Sequence, residues 1–350
     1  MERRNSRSAA LAAVLSVVTC GSPAGAAEPV KGPPLQTGSA GLAVPLWVPE
    51  HPPLPDRVLR FKSIPELFQS AHVQLSNGVA AVNAADWRAV AIGSSKGDEY
   101  CTLTLVGPRV VLLAAHCVDR GLAAAAAGPS TIPAQVVFKT RTYRMDCQMS
   151  DGYRHAPVNR SGAPRASDDF AVCDLDADAT GEVAPEALAT AVALRAGSPI
   201  QLMGRGCTNL GISDDGRYTY VAKDRQLRLG QESVEAINIS IYPGQKGIYA
   251  RTLSGAKEPV LCFGDSGGPV MVSATGGGRR VIAVNSAVGA TPMATVASPS
   301  FYSYLSPLSA SEFRTFVERW VGQATTPAAQ RRDRRICGLS LAPGLGGCRS

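Results

Sequence analysis

The sequence predicts an all-β fold, a barrel or a sandwich, and three observations carry that prediction. Short apolar runs rich in β-branched residues recur from Asn77 onward. Glycine and proline, 35 and 25 of the 350 residues, punctuate the spaces between those runs. The helices that a parallel α/β sheet needs between its strands are missing.

In chain order the strand segments are 89–92, 101–106, 110–114, 135–139, 170–175, 200–203, 237–241, 269–272 and 281–285. Two stretches depart from this pattern. An alanine-rich segment, 122–127, reads as a surface loop or a single helical turn. Near the end, Phe313, Phe316, Val317, Trp320 and Val321 recur at helical spacing, which predicts an amphipathic helix over 309–321 with Ser309 or Ser311 as its cap. A short helix is also expected over 65–70, and no internal repeat is present.

The ends differ from the middle. Residues 1–26 join a basic start, Met1 to Arg7, to an apolar run and to Ala24-Gly25-Ala26, small residues suited to a cleavage site. This is the pattern of a secretory signal peptide, too short in its apolar part to span a bilayer. Residues 27–76 are proline-rich and read as a propeptide or extension, 77–322 as the folded domain, and 323–350 as a basic tail containing cysteines. The formal net charge of +7 resides in these ends: without residues 1–26 and 331–350 the chain holds 27 basic against 26 acidic residues. The domain therefore shows no footprint for nucleic acid. The run Arg331-Arg332-Asp333-Arg334-Arg335 reads as a solvated segment or a processing site, with contact to an anionic surface as its alternative.

Nine cysteines are an odd count for an exported chain. Cleavage near Ala26 removes Cys20 and leaves an even set, as an oxidising compartment favours. The expected location is secreted or periplasmic, with lipid modification at Cys20 as the alternative. The alanine, arginine and glycine bias together with the leader suggests a bacterial source.

The chemistry concentrates in Gly264-Asp265-Ser266-Gly267-Gly268-Pro269. A serine hydroxyl is a weak nucleophile until a base takes its proton, and the oxyanion formed on attack needs donors already in place. Glycines around Ser266 let the backbone bend so that the Gly264 and Ser266 amides converge. The candidate base is His116 in Ala114-Ala115-His116-Cys117, delivered by the apolar run that precedes it. The other three histidines, His51, His72 and His155, are read as structural. The candidate orienting acid is Asp169, in Asp168-Asp169-Phe170-Ala171-Val172 directly before a strand, and Asp168 is expected to face solvent.

AAHC, DDFAV and GDSGGP, in that order, resemble the trypsin-like, chymotrypsin-fold serine peptidases over roughly Asn77 to Val321. Gly204-Arg205-Gly206 resembles the family's Gly-Trp-Gly turn, and Pro299-Ser300-Phe301-Tyr302 its Pro-Gly-Val-Tyr segment. The resemblance implies two antiparallel six-stranded barrels, a catalytic cleft between them and a C-terminal helix packed outside. It also implies that Ser286 hydrogen-bonds the catalytic aspartate and opens the strand on which substrate pairs, and that Gly264 and Ser266 form the oxyanion hole. Asp265 matches the residue that pairs with a new N-terminal ammonium after propeptide cleavage. Here the sequence departs from the family, because Leu75-Ser76-Asn77-Gly78-Val79 lacks both the preceding basic residue and the Ile-Val-Gly-Gly start. Another partner for Asp265 is therefore expected.

Counting outward from Ser266 places Val260 at the base of the specificity pocket, Leu261 beside it, Val288 on one wall and Ser300 on the other. With no aspartate at the base, small or medium uncharged side chains are expected at the cleaved position. The resemblance pairs Cys101 with Cys117 and makes a Cys147–Cys173 bridge reasonable between neighbouring strands. The family's partner for Cys262, a cysteine shortly after the Ser286 strand, is missing; Cys207 is assigned instead, bracing the oxyanion hole, and Cys337 is assigned to Cys348 in the tail. A zinc site is the rival reading of these cysteines, against which stand the lack of CxxC and of clustered histidines. The expected protein is a monomeric serine endopeptidase acting on protein or peptide chains without metal or cofactor. The alternatives are a catalytically weak homologue serving as a secreted binding module and a glutamate-specific peptidase.

Overall fold

The computed structural model describes residues 75–81, 84–96, 99–119, 132–155, 168–221, 225–241, 247–274, 278–322 and 334–339. The signal peptide with Cys20, the expected helix over 65–70, the alanine-rich 122–127 and Cys348 lie outside the described residues. No helix among the described residues is long and apolar enough to cross a membrane.

The fold is all-β with a C-terminal helix. After a two-residue strand β1 (Val79–Ala80), six strands close into an antiparallel barrel: β2 (Val90–Lys96), β3 (Glu99–Gly107), β4 (Val110–Leu113), β5 (Ile132–Phe138), β6 (Arg141–Met149) and β7 (Ala171–Leu175). They are joined in the order β2-β3-β4-β7-β6-β5. The barrel is filled by an apolar cluster that includes Leu103, Leu105, Val111, Leu113, Phe138 and Met145. Strand β6 is absent from the apolar runs because it is mostly polar; its inward face is carried by Tyr143, Met145 and Cys147 at a period of two. A single turn of helix, α1 (Asp151–His155), follows it.

The second half comprises β8 (Pro199–Gly204), β9 (Thr208–Ile212), β10 (Tyr218–Val221), β11 (Arg228–Ser233), β12 (Ala236–Ile239), β13 (Tyr249–Ser254), β14 (Pro269–Ser273), β15 (Arg279–Ala290) and β16 (Phe301–Pro307). Eight strands form one antiparallel sheet in the order β1-β11-β8-β14-β15-β16-β13-β12, and β9 and β10 form a separate hairpin. The six central strands of the sheet, β11 to β13, are those a second barrel needs. Their ends meet through the Glu235 amide, which donates to the Arg251 carbonyl at 2.8 Å, rather than through a continuous ladder. Their core holds Ile200, Leu202, Val270, Ile282, Phe301 and Leu305.

A third cluster fills the space between the halves, and helix α2 (Ser311–Gly322) closes it. Phe313, Phe316, Val317 and Trp320 are buried on the inner face of α2, as the periodicity predicts. Phe170 meets the Phe313 ring edge-on at 5.1 Å, and each buried apolar side chain of this size contributes about 2 kcal/mol. Two segments outside the expected domain bounds join the core. Leu75 is buried in the second-half core, while Ser76 exchanges both backbone hydrogen bonds with Val260 at 3.3 Å. Ile336 and Leu339 pack into the central cluster, anchored by the Cys337 amide on the Val106 carbonyl.

Candidate active site

Register places His116 beside Asp169. Strands β4 and β7 are antiparallel neighbours with Leu113 opposite Ala171, so the residues just after β4 lie next to those just before β7. His116 occupies a 3-10 turn, Ala115–Cys117, that leaves the end of β4. Its Nδ1 lies 2.7 Å from Asp169 Oδ2, and its backbone amide donates to Asp169 Oδ1 at 2.9 Å. Both carboxylate oxygens are thus used, and Asp169 is buried while the imidazole remains about a quarter exposed. Burial raises the Asp169 carboxyl, but the facing imidazole and the hydrogen bonds from His116 and Ser286 outweigh it, so its net shift is below the ordinary carboxylate value.

Asp168 is a correction. It is not solvated: the carboxylate is buried against Gly152, with the Ser150 hydroxyl 2.8 Å from Oδ2. Burial pushes its pKa up, opposite to its neighbour. Ser150 Oγ also accepts from the Tyr153 amide at 3.1 Å, so Asp168 secures the start of α1 rather than facing water.

Ser286 reaches the same carboxylate from the other half. The β15–β16 pairing runs from Asn285 opposite Leu305 to Ala287 opposite Tyr304, which leaves Ser286 as the extra residue of a bulge. Bulges re-aim side chains, and this one directs the Ser286 hydroxyl onto Asp169 Oδ2 at 2.6 Å. The Tyr249 hydroxyl stands 3.4 Å from Ser286 Oγ, a contact that no sequence motif marks.

Ser266 lies on the turn before β14, and its hydroxyl donates to the Ser286 carbonyl at 3.5 Å. Gly264 and Gly267 have φ of +102° and +83°, a region that side chains disfavour, and a Cβ on Gly267 would stand 2.3 Å from the Thr102 carbonyl oxygen. The turn is held against the first barrel by Thr102, which is fully buried: its amide and hydroxyl donate to the Gly264 carbonyl at 3.1 and 2.8 Å. Thr102 also escaped sequence reasoning, since a threonine in a β-rich run carries no catalytic signal.

Asp265 is buried, and its two oxygens accept from the amides of Gly206 at 2.7 Å and Cys262 at 2.8 Å. Gly204 and Gly206 are required by this carboxylate, since a Cβ on either would lie within 2.7 Å of Asp265 Oδ1. Between them, Arg205 donates through Nε to the Val90 carbonyl at 3.1 Å, and burial lowers its guanidinium to about 10, still protonated at neutral pH.

Three disulfides are formed: Cys101–Cys117, Cys147–Cys173 and Cys207–Cys262. Cys337 is disulfide-bonded as well. The sulfurs nearest His116, those of Cys101 and Cys117, are bonded to each other and present no thiolate pair for a metal.

Val260, Leu261 and Val288 share one apolar cluster with Cys262 and Phe301. Ser300 needs correcting. The residue across from Val288 is Ser303, whose Oγ accepts from the Leu261 amide at 3.1 Å. Ser300 precedes β16 and pairs its hydroxyl with Thr291 Oγ1 at 2.5 Å. The ladder thus sets Ser303 rather than Ser300 opposite Val288, a register that the motif does not report because loop and strand lengths before β16 are not readable from it.

Two antiparallel β-units, with an imidazole–carboxylate pair from one and a glycine-turn serine from the other, define a chymotrypsin-type serine peptidase class. The family model described as Trypsin matches residues 76–310, and the chain belongs to the trypsin family. No curated protein matches it.

Proposed function

We propose that the protein is an exported serine endopeptidase whose nucleophile is Ser266, whose base is His116 and whose orienting acid is Asp169. The observation that carries this reading is the saturated Asp169 carboxylate, bound by the His116 amide, His116 Nδ1 and Ser286 Oγ. That arrangement keeps the proton on Nδ1 and leaves Nε2 as the base. Ser266 Oγ attacks the scissile carbonyl as Nε2 takes its proton. His116 then gives that proton to the leaving amine, and water repeats the cycle on the acyl-enzyme. The Gly264 and Ser266 amides receive the oxyanion, each donor being worth about 10²–10³ in rate.

The substrate is a protein or peptide chain. Val260, Leu261, Val288 and Ser303 carry no charge to pair with Arg or Lys, which supports a preference for small or medium uncharged residues at the cleaved position. Three disulfides support secretion or a periplasmic location. Labelling the mature protein with a fluorophosphonate probe tests the mechanism: wild type should react and Ser266→Ala should not. An unreactive wild type would favour a binding module instead. A panel of chromogenic peptides tests the preference, and selectivity for Arg or Lys would sink it.

A further inference from the structure

The pocket proposed above lies between two walls, the loop through Val260 and Phe263 and the end of β15 from Ser286 to Ala290. No cysteine stands on the β15 wall to tie it to Cys262; after Cys262 the sequence holds only Cys337 and Cys348. The hairpin β9–β10 stands apart from the main sheet of the second half and touches both walls. At its base Cys207 is bonded to Cys262, and the Leu210 amide donates to Ser76 Oγ at 2.8 Å, beneath the Ser76–Val260 pairing. At its far strand the Tyr218 ring meets Phe263 edge-on at 5.9 Å and lies 6.4 Å from Phe301. Its hydroxyl accepts from the Ala290 amide at 2.9 Å.

The direction of that amide matters. Thr291 donates to Ser300, so its neighbour Ala290 points to the opposite edge of β15. Strand β14 pairs with β15 as far as Val284, and Gly267 and Gly268 carry the backbone bonds on to Asn285; beyond it no backbone among the described residues pairs with this edge beside Ser266. Tyr218 therefore spans the gap where sheet pairing has stopped, with its ring on one wall and its hydroxyl on the other.

We infer that Tyr218, carried by a hairpin locked to Cys262 and bonded to Ala290, sets the width of the substrate pocket and is a specificity-determining residue. The inference rests on the peptidase reading. A phenol fixed between two walls limits how far they part, and its ring fills space that a bulky substrate side chain would need. Selection of small residues then follows from the hairpin as well as from the pocket base.

The test compares wild type, Tyr218→Ala and Tyr218→Phe on peptide anilides carrying Ala, Val, Leu or Phe at the cleaved position. Fluorophosphonate titration counts competent sites, and hydrogen exchange follows the Ala290 amide. Tyr218→Ala should raise the Phe-to-Ala ratio of kcat/KM by about tenfold or more, the scale that pocket volume commands. Tyr218→Phe should keep the ratio closer to wild type but speed exchange at Ala290. Ratios within about twofold of wild type in both variants, with sites fully titrated, would overturn the inference. If Tyr218→Ala does not fold, Tyr218→Phe decides alone: unchanged exchange at Ala290 overturns the brace. A wild type that never titrates sinks the peptidase reading instead, and the exchange measurement still decides the brace.

Discussion

In the first barrel, six strands close on themselves and hold His116 and Asp169 through the ordinary β4–β7 register. In the second half the sheet stays open, and the Ser266 turn and the end of β15 are held by separate links: Thr102 on Gly264, two amides on Asp265, the Cys207–Cys262 bridge and the Tyr218–Ala290 bond. A closed barrel distributes its constraint over many ladder bonds, so losing one link changes the site's geometry little. An open sheet that must present a turn and a free strand edge concentrates the constraint in a few contacts, and each of them matters more. On the proposed reading, a half that receives substrate on a strand edge cannot also pair every edge.

The sharpest break in this comparison is Asp169→Asn. The imidazole loses the acceptor that keeps its proton on Nδ1, and kcat should fall about 10,000-fold while the barrel stays folded, as circular dichroism would check. The same carboxylate has a folded pKa below its ordinary value of 3.8. Its contribution to stability is therefore present above that value and lost as pH falls through the lower folded one. The stability gap between wild type and Asp169→Asn should close on acidification.

Disulfide removal compares the halves directly. Cys147 and Cys173 are opposite residues in the β6–β7 ladder, so their bridge repeats a constraint the strands already impose. Replacing both with serine should lower stability by about 2–4 kcal/mol and leave kcat/KM intact. Removing Cys207 and Cys262 opens a loop of larger separation, 55 against 26 residues, and should cost at least as much stability. It should also loosen substrate selectivity, and equal effects of the two pairs on selectivity would break the comparison.

Thr102→Val keeps shape but removes one of two bonds to the Gly264 carbonyl. We expect kcat to fall about tenfold with KM unchanged, and Thr102→Ser to restore it. A rise in KM alone would mean that the threonine shapes the cleft and not the oxyanion turn.

The smallest effect concerns Glu232 on β11. Burial, with the nearby Glu258 carboxylate adding to it, raises its pKa from 4.5 to about 7. The folded state favours the protonated form, so stability is full below 4.5 and declines as pH rises through about 7. Glu232→Gln should therefore have the higher Tm at alkaline pH and lose that advantage in acid, the opposite sign to Asp169.

Much of this site was legible in the sequence because its residues sit in short motifs whose chemistry demands them: a serine flanked by glycines, a histidine ending an apolar run, an acid before a strand. Helix α2 was legible because its buried face repeats at helical spacing. Strands β6, β11, β13 and β16 were not, since polar or mixed residues alternate there and no apolar run announces them. Ser300 was misplaced and Asp168 misjudged for a related reason. Local order does not report loop length or what packs above a carboxylate.

By itself the sequence determined the chemical groups available, the all-β class, the terminal helix and the division between a basic periphery and a nearly neutral domain. Tertiary structure alone decided that Asp168 is buried against Ser150, that a bulge turns Ser286 onto Asp169, that Ser303 faces Val288, and that the β9–β10 hairpin links Cys262 to Ala290. These depend on register and on contacts between residues about 15 to 120 positions apart. Such pairings are set when packing excludes the alternatives, and no local pattern encodes them.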